Sequence, residues 1–164
     1  MPDAMIKLKK SDFLLFLDTH TSGTTATWSR IDRSTIFSLD LNGKSETEDF
    51  IAYETPVTTA TGYELSMSQE ITITEGNPIY DFLFEKLYNL DIGDAMMVKS
   101  LLCFGGSGKK AWQVDMTTIT LKSLNTVDGK LTFDLAFGGT PTKGTYTISS
   151  GTPTFTPANS GSGD

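Results

Sequence analysis

From Tyr63 to Glu75 apolar and polar residues alternate, and this stretch restricts the possible folds more than any other. Tyr63, Leu65, Met67, Ile71 and Ile73 share one face, and Glu64, Ser66, Ser68, Glu70, Thr72 and Thr74 share the other. Gln69 is the one interruption. A period of two is the mark of a strand with one buried face. At about 3.3 Å per residue the strand would run roughly 40 Å, well past the usual length. Its second face is built of Ser, Thr and Glu, so it must meet water or a polar partner.

The period then changes. Asn77 suits a helix N-cap, and Pro78 suits the first helical position, where its missing N–H costs nothing. Phe82, Leu83, Lys86, Leu87 and Leu90 recur at three- and four-residue spacing, an apolar stripe with one lysine in it. Gly93 is the expected stop. The spacing predicts one substantial helix over about 78–90, with Phe82, Leu83 and Leu87 on a sheet. A second aromatic set, Tyr80, Phe84 and Tyr88, implies burial on more than one side.

The remaining signals are β. Phe13 to Leu17 is a short apolar run, Ile36 to Leu41 alternates, and Met96 to Phe104 is apolar except for Lys99 and Ser100. Trp112, Val114 and Met116 share a parity that Ile119 and Leu121 reverse, which predicts a bulge or bend near Thr117-Thr118. Leu131, Phe133, Leu135 and Phe137 alternate cleanly, and Asp128-Gly129 before them predicts a hairpin. The fold class expected is mainly β (α+β), a sandwich or half-barrel with one flanking helix. The domain should cover 1–150, with an N-terminal arm over 1–10.

Two regions fall outside this scheme. Residues 42–62 are Thr-rich and acidic (Glu46, Glu48, Asp49, Glu54) around Phe50-Ile51-Ala52-Tyr53. They read as one long extended loop before the longest strand, and loops of that length are functional or mobile. Residues 151–164 read as a Gly/Ser/Thr/Pro-rich C-terminal arm whose last five residues are linker-like.

A chain of 164 residues buries roughly 70% of its unfolded surface, so neither disulfides nor a metal is required for folding. Cys103 is the sole cysteine and sits in an apolar run, which reads as a buried core thiol; a reactive one needs an electropositive, partly exposed site. No secretory leader and no membrane span are legible, so synthesis in a reducing cytoplasm is expected. The net charge of −7 sets twenty acids against thirteen bases. The bases are scattered apart from Lys7, Lys9, Lys10 and Lys109-Lys110, which argues against stable DNA binding and allows a surface that repels DNA.

Catalytic chemistry is hard to assemble from these residues. His20, the sole histidine, lies in a turn-like stretch, so any triad or zinc site would have to be built on it. Gly105-Gly106-Ser107-Gly108-Lys109-Lys110 lacks the spacing of a phosphate cradle and precedes a strand, so it reads as a hairpin loop. Carboxylate pairs could sit among twenty acids, but acids on strand faces are usually solvated. No catalytic, cofactor-binding or metal-ligating residue is assigned, no cofactor is expected, and the chain is not expected to be an enzyme.

Several runs resemble a known family. They are Lys10-Ser11-Asp12-Phe13-Leu14-Leu15-Phe16-Leu17, Trp28-Ser29-Arg30-Ile31, and Ser45-Glu46-Thr47-Glu48-Asp49-Phe50-Ile51 leading through Thr61-Gly62-Tyr63. The most specific is Gly76-Asn77-Pro78-Ile79-Tyr80-Asp81-Phe82-Leu83-Phe84-Glu85-Lys86-Leu87-Tyr88-Asn89-Leu90. Up to about Ile148 the chain resembles major tail tube proteins of long, non-contractile-tailed bacteriophages. The resemblance implies a virion protein made in the host cytoplasm that forms hexameric rings stacked into a tube. Its partners would be further copies of itself and the tape measure, tail terminator and distal tail proteins, with no membrane. Double-stranded DNA would be transient cargo in an acidic lumen. The loop at 42–62 would reach the next ring, the terminal arms would bridge rings too, and the extra immunoglobulin-like domain of some relatives would be lacking. From the residues alone, a carbohydrate- or host-binding β-sandwich of a phage particle stays open, with Trp28 and Trp112 as its candidate aromatics.

Overall fold

The computed structural model describes residues 5, 7–20, 25–34, 38–105 and 108–158. Along these the chain forms β1 (Leu14–Asp18), β2 (Trp28–Arg30), β3 (Leu39–Asp40), β4 (Lys44–Glu48), β5 (Val57–Gly62) and β6 (Leu65–Thr72). A helix, α1 (Pro78–Asn89), follows. Then come β7 (Met97–Phe104), β8 (Lys110–Asn125), β9 (Lys130–Gly138), β10 (Thr142–Ser149) and β11 (Thr152–Pro157). The chain is mainly β with one flanking α-helix, as the patterning predicts, and its strands pair antiparallel.

The longest strand is β8, at 16 residues, and not the alternating segment at 63–75. Its first part lies between two neighbours: Ala111 faces Cys103 of β7 on one side and Gly144 of β10 on the other. From Met116 to Asn125 it pairs with β9 instead. Beyond β9 come β6 and β3, and beyond β7 come β1 and β2. Val98 pairs with Thr117 but Ser100 pairs with Val114, so Asp115 and Met116 bulge away from β7. The phase flips there: Val114 is buried, Met116 is half exposed, and Thr117 and Ile119 are buried. The expected bulge therefore stands just before Thr117. It lets one strand serve two sheet directions.

Two apolar cores result. Leu15, Leu17, Met67, Leu102, Val114, Ile119, Leu131, Phe133 and Leu135 form the larger, and Ile79 and Leu83 of α1 close it. Leu14, Phe16, Leu101, Cys103 and Tyr146 form the smaller, over which Ile148 and Phe155 of the β10–β11 hairpin pack. Both faces of β1 are thus covered, which is why its five residues are all buried and the first four, Leu14 to Leu17, form a continuous apolar run.

The helix starts as its sequence dictates. The Asn77 side chain accepts from the N–H groups of Ile79 and Tyr80 at 3.0 and 3.2 Å. Lys86, the charge within the apolar stripe, donates to the Ala95 carbonyl and lies 4.8 Å from the centre of the Phe82 ring. Leu83 is buried, and Phe82 and Leu87 pack on the core. The second aromatic set is buried only at its start: Tyr80 packs against the larger core, while Phe84 and Tyr88, which continue from it as a ladder of neighbouring rings, are exposed. The stop comes at Leu90, and Gly93 instead opens a short 3-10 turn, Gly93–Met96.

Three further expectations change. The alternating segment holds as a strand only over Leu65–Thr72, because Tyr63 swings out to solvent and Ile73 bonds to the Gly129 turn instead. Gln69 is turned into the larger core at 1% exposure, and its amide has no partner among the described residues, a desolvation cost. The loop read over 42–62 is a hairpin of β4 and β5 forming a separate two-stranded sheet. The arm read from 151 begins inside the fold, because Thr152–Pro157 pairs along β10. Ile36 and Phe37, Gly106 and Ser107, most of the first six residues and the final linker-like residues lie outside the described residues.

The β10–β11 contact depends on Gly144. A Cβ there would meet the Thr156 carbonyl oxygen at 2.2 Å and the Phe155 ring at 2.8 Å. Gly144→Ala should therefore pry β11 from the smaller core and cost about 1–3 kcal/mol, the usual range for overpacking. Urea unfolding followed by tryptophan fluorescence tests this; an unchanged midpoint would contradict the packing.

Candidate functional site

Residues first considered for chemistry take structural positions. Asp18 ends β1 with its side chain nearly buried, and His20 Nδ1 lies 2.7 Å from its Oδ2. The N–H groups of His20 and Thr27 also donate to Asp18 Oδ1, at 3.1 and 2.9 Å. Burial opposes ionisation of Asp18. The hydrogen bonds from the His20 side chain and from the backbone of Thr27 and His20 outweigh it and hold the carboxyl below its ordinary value. The pair pins the two ends of the segment after β1. Cys103 is buried, and burial pushes its thiol up to about 12, the opposite of what a nucleophile needs. Around the Gly-rich loop, Gly108 N–H donates to Tyr146 O at 2.7 Å and Gly105 N–H to Asp12 O at 3.0 Å, tying a β7–β8 turn into the sheet. Among the described residues no three His, Cys, Asp or Glu side chains gather as a metal site.

The features left for function are surfaces. The first is the hairpin. Every residue of β4 is exposed, as are those of β5 apart from its last. Its base is fixed: Lys44 pairs with Glu64 at 2.7 Å, Asn42 donates to the Glu64 carbonyl at 2.8 Å, and Glu64 N–H donates to Leu41 O. At the tip, Phe50 and Tyr53 meet edge-on with centroids 6.2 Å apart, and Ile51 is fully exposed. Between Ser45 and Gly62 there are four acids and no base.

The second surface is a sheet open at both edges. Past Thr118, β8 keeps β9 on one side but no strand on the other among the described residues. At the far edge, β3 pairs with β6 through only two residues. Farther along that edge Ser34 bridges Ile71 and Thr72 N–H donates to Arg33 O. Among the described residues no strand lies beyond outer β8 or beyond β3, and exposed edges are ones that proteins pair or protect. The core face of the portion β3-β6-β9-outer β8 carries Met67, Ile71, Phe133 and Leu135, and the register puts Asp40, Ser66, Ser68, Glu70, Thr132, Asp134, Thr120 and Ser123 on the other, with Lys122 the extra residue where the register shifts. That second face is hydroxyl-rich, with Lys122 3.5 Å from Asp134.

The third surface is a groove of about 610 Å³ between the end of α1 and the free edge of β8. Leu87, Leu90, Ile92, Ile119, Leu121 and Leu124 line it. Leu90 and Ile92 are more than four-fifths exposed. Leu90 also holds φ +53°, a left-handed conformation that costs a leucine about 1–2 kcal/mol and that glycine adopts freely. The sequence signal for this groove is present: Leu90 stands where a helix end calls for Gly or Asn. On the far side of the molecule, Leu41, Tyr63, Trp112, Pro141 and Lys143 line a second groove of about 510 Å³, where Trp112 is held edge-on by Phe104. Trp28 packs against the smaller core.

No family model and no curated protein matches this chain.

The Asp18 carboxyl is more acidic folded than unfolded, so its contribution to stability is complete above about pH 5 and is lost as pH falls through the folded value. Asp18→Asn should lower stability at pH 7 and cost progressively less toward pH 3. Urea titrations at the two pH values check this, and an equal deficit at both would contradict the ionic role.

Proposed function

We propose that this chain is a structural tail tube subunit of a long-tailed bacteriophage, assembling as stacked hexameric rings around a channel for DNA. The observation that carries this reading is the sheet portion β3-β6-β9-outer β8, which has no strand beyond either edge among the described residues. Copies that join the free edge of β8 to the β3 edge of a neighbour leave no edge exposed once the ring closes. Six such sheets at about 4.8 Å per strand close into a barrel roughly 37 Å across at the backbone, wider if the strands tilt. The apolar faces point outward to the core and α1, and the hydroxyl face points into the channel. The hairpin is the natural link between rings, since it leaves the body at one end of the sheet.

On this reading the channel face works by not binding. Ser and Thr dominate it, and Asp40, Glu70 and Asp134 balance Lys122 and Lys130 with a small excess of acid. Phosphates find no basic track, and at physiological salt only charges within about 8 Å of the wall act on passing DNA. The other partners are the tail proteins at either end of the tube and the measuring protein within it. Location in the virion follows from the same reading; no helix among the described residues is long and apolar enough to cross a membrane. One observation favours a second reading, a glycan- or host-binding module: the groove that places Tyr63 and Trp112 beside Lys143.

Electron microscopy of concentrated protein separates the two. Tubes roughly 100 Å wide, allowing about 10 Å per packed layer, support the first reading, and persistent monomers that bind glycans support the second. Glu70→Lys with Asp134→Lys should leave tube assembly intact while the tubes gain salt-sensitive retention of duplex DNA. Variant tubes that hold no more duplex than the parent at low salt would contradict the channel assignment.

A further inference from the structure

We infer that Pro153 and Pro157 seal the outer edge of β11 against strand pairing, so that a second copy cannot add there. β11 ends its branch of the sheet, and among the described residues only β10 lies beside it. The register shows which backbone groups this edge presents. Gly144 stands opposite Pro157, which sets Lys143 opposite Ala158, and the Ala158 N–H donates to the Lys143 carbonyl at 2.9 Å. Bonded pairs recur at every second residue of an antiparallel ladder, so Thr156, Thr154 and Thr152 turn their backbone groups toward β10. The turn agrees with this. Ser150 and Gly151, at φ +52° and +77°, form the two-residue loop that closes on the bonded pair Ser149 and Thr152. Positions 153, 155 and 157 therefore turn their backbone groups away from the sheet. Two of the three are proline, so the edge offers three carbonyls but one N–H, that of Phe155.

The other means of protecting an edge are not used here. From Gly144 to Ala158 there is no charged residue, and the β10–β11 register runs without a bulge. Thr152, Thr154 and Thr156 are exposed, and Thr and Phe favour extended chain. An uncharged, regular, β-prone edge is what a second chain pairs with unless something blocks it. Proline is the device that blocks this one. Neither outer β8 nor β3 contains a proline. The prolines thus sort the edges, one sealed and two left able to pair. The role of that sorting in assembly rests on the tube reading, because a ring closes only if every copy joins through the same two edges. The sealing itself does not.

Restoring the missing donors tests this. Pro157 is exposed, so Pro157→Thr alters the edge without touching either core. Pro153 is buried, and Pro153→Val keeps an apolar side chain in its place. Parent and variants are compared in dilute solution, below any concentration at which the parent assembles, by sedimentation velocity and amide exchange. The double variant should form a species of about twice the parent's mass, joined β11 to β11 about a two-fold axis. Pro157→Thr alone should do so at higher concentration. The amides of residues 155 and 157 should slow by about tenfold or more in the associated protein. Variants that sediment as the parent does, or that associate without slowing of these amides, overturn the inference. If the double variant melts well below the parent, Pro157→Thr alone decides. A parent that forms no tubes at any concentration removes the tube reading and leaves this comparison standing.

Discussion

Everything in this fold hangs on β8 serving two partners on the same side. It runs beside β10 for its first residues, bulges at Asp115 and Met116, and continues beside β9. Because β7 stops opposite Thr118, the outer half of β8 has one neighbouring strand, β9, among the described residues. That half-paired strand creates the open sheet, forms one wall of the apolar groove and places the hydroxyl face away from the core. A straight strand with both sides paired would have closed the molecule on itself.

The sequence announced the helix most clearly. Asn77 and Pro78 mark its start without tertiary help, and the Phe82-Leu83-Leu87 stripe requires a sheet beneath it. The β9 strand and its Asp-Gly turn were equally plain, since alternation and turn chemistry agree there. Alternation overstated the segment at 63–75, because period two reports which way side chains point and not whether a neighbouring strand is present. Tyr63 keeps the parity but has no neighbour to cover it. The hairpin at 44–62 was invisible for the converse reason: both its faces are solvated, so no apolar alternation marks it. β11 was hidden by its turn-like composition, and Phe155 alone hinted at a buried face.

Of the candidate site, the individual residues were legible but their grouping was not. Phe50, Ile51 and Tyr53 stood out as apolar groups in an acidic stretch, and Glu70 as an acid on a strand face. Which acids share a surface depends on register across three strands, and the parity flip located only one of the two bulges in β8, that before Thr117 and not that at Lys122. Leu90 illustrates the limit well. In sequence it is the last member of an apolar stripe, whereas in space it is the left-handed stop of the helix, turned outward. That turn lets the N–H groups of Leu90 and Asp91 cap the last carbonyls of α1, those of Leu87 and Lys86, which no apolar stripe announces.

The claim on which the rest depends is that the free edge of β8 is completed by a neighbouring copy. Amide hydrogen exchange across 119–125, compared between dilute subunits and assembled tubes, tests it directly. The account predicts that the outward-pointing amides of this stretch exchange quickly in dilute protein. In tubes they should slow by about two orders of magnitude or more, as paired strand amides do. Equal exchange in the two states, with tubes present, would contradict it.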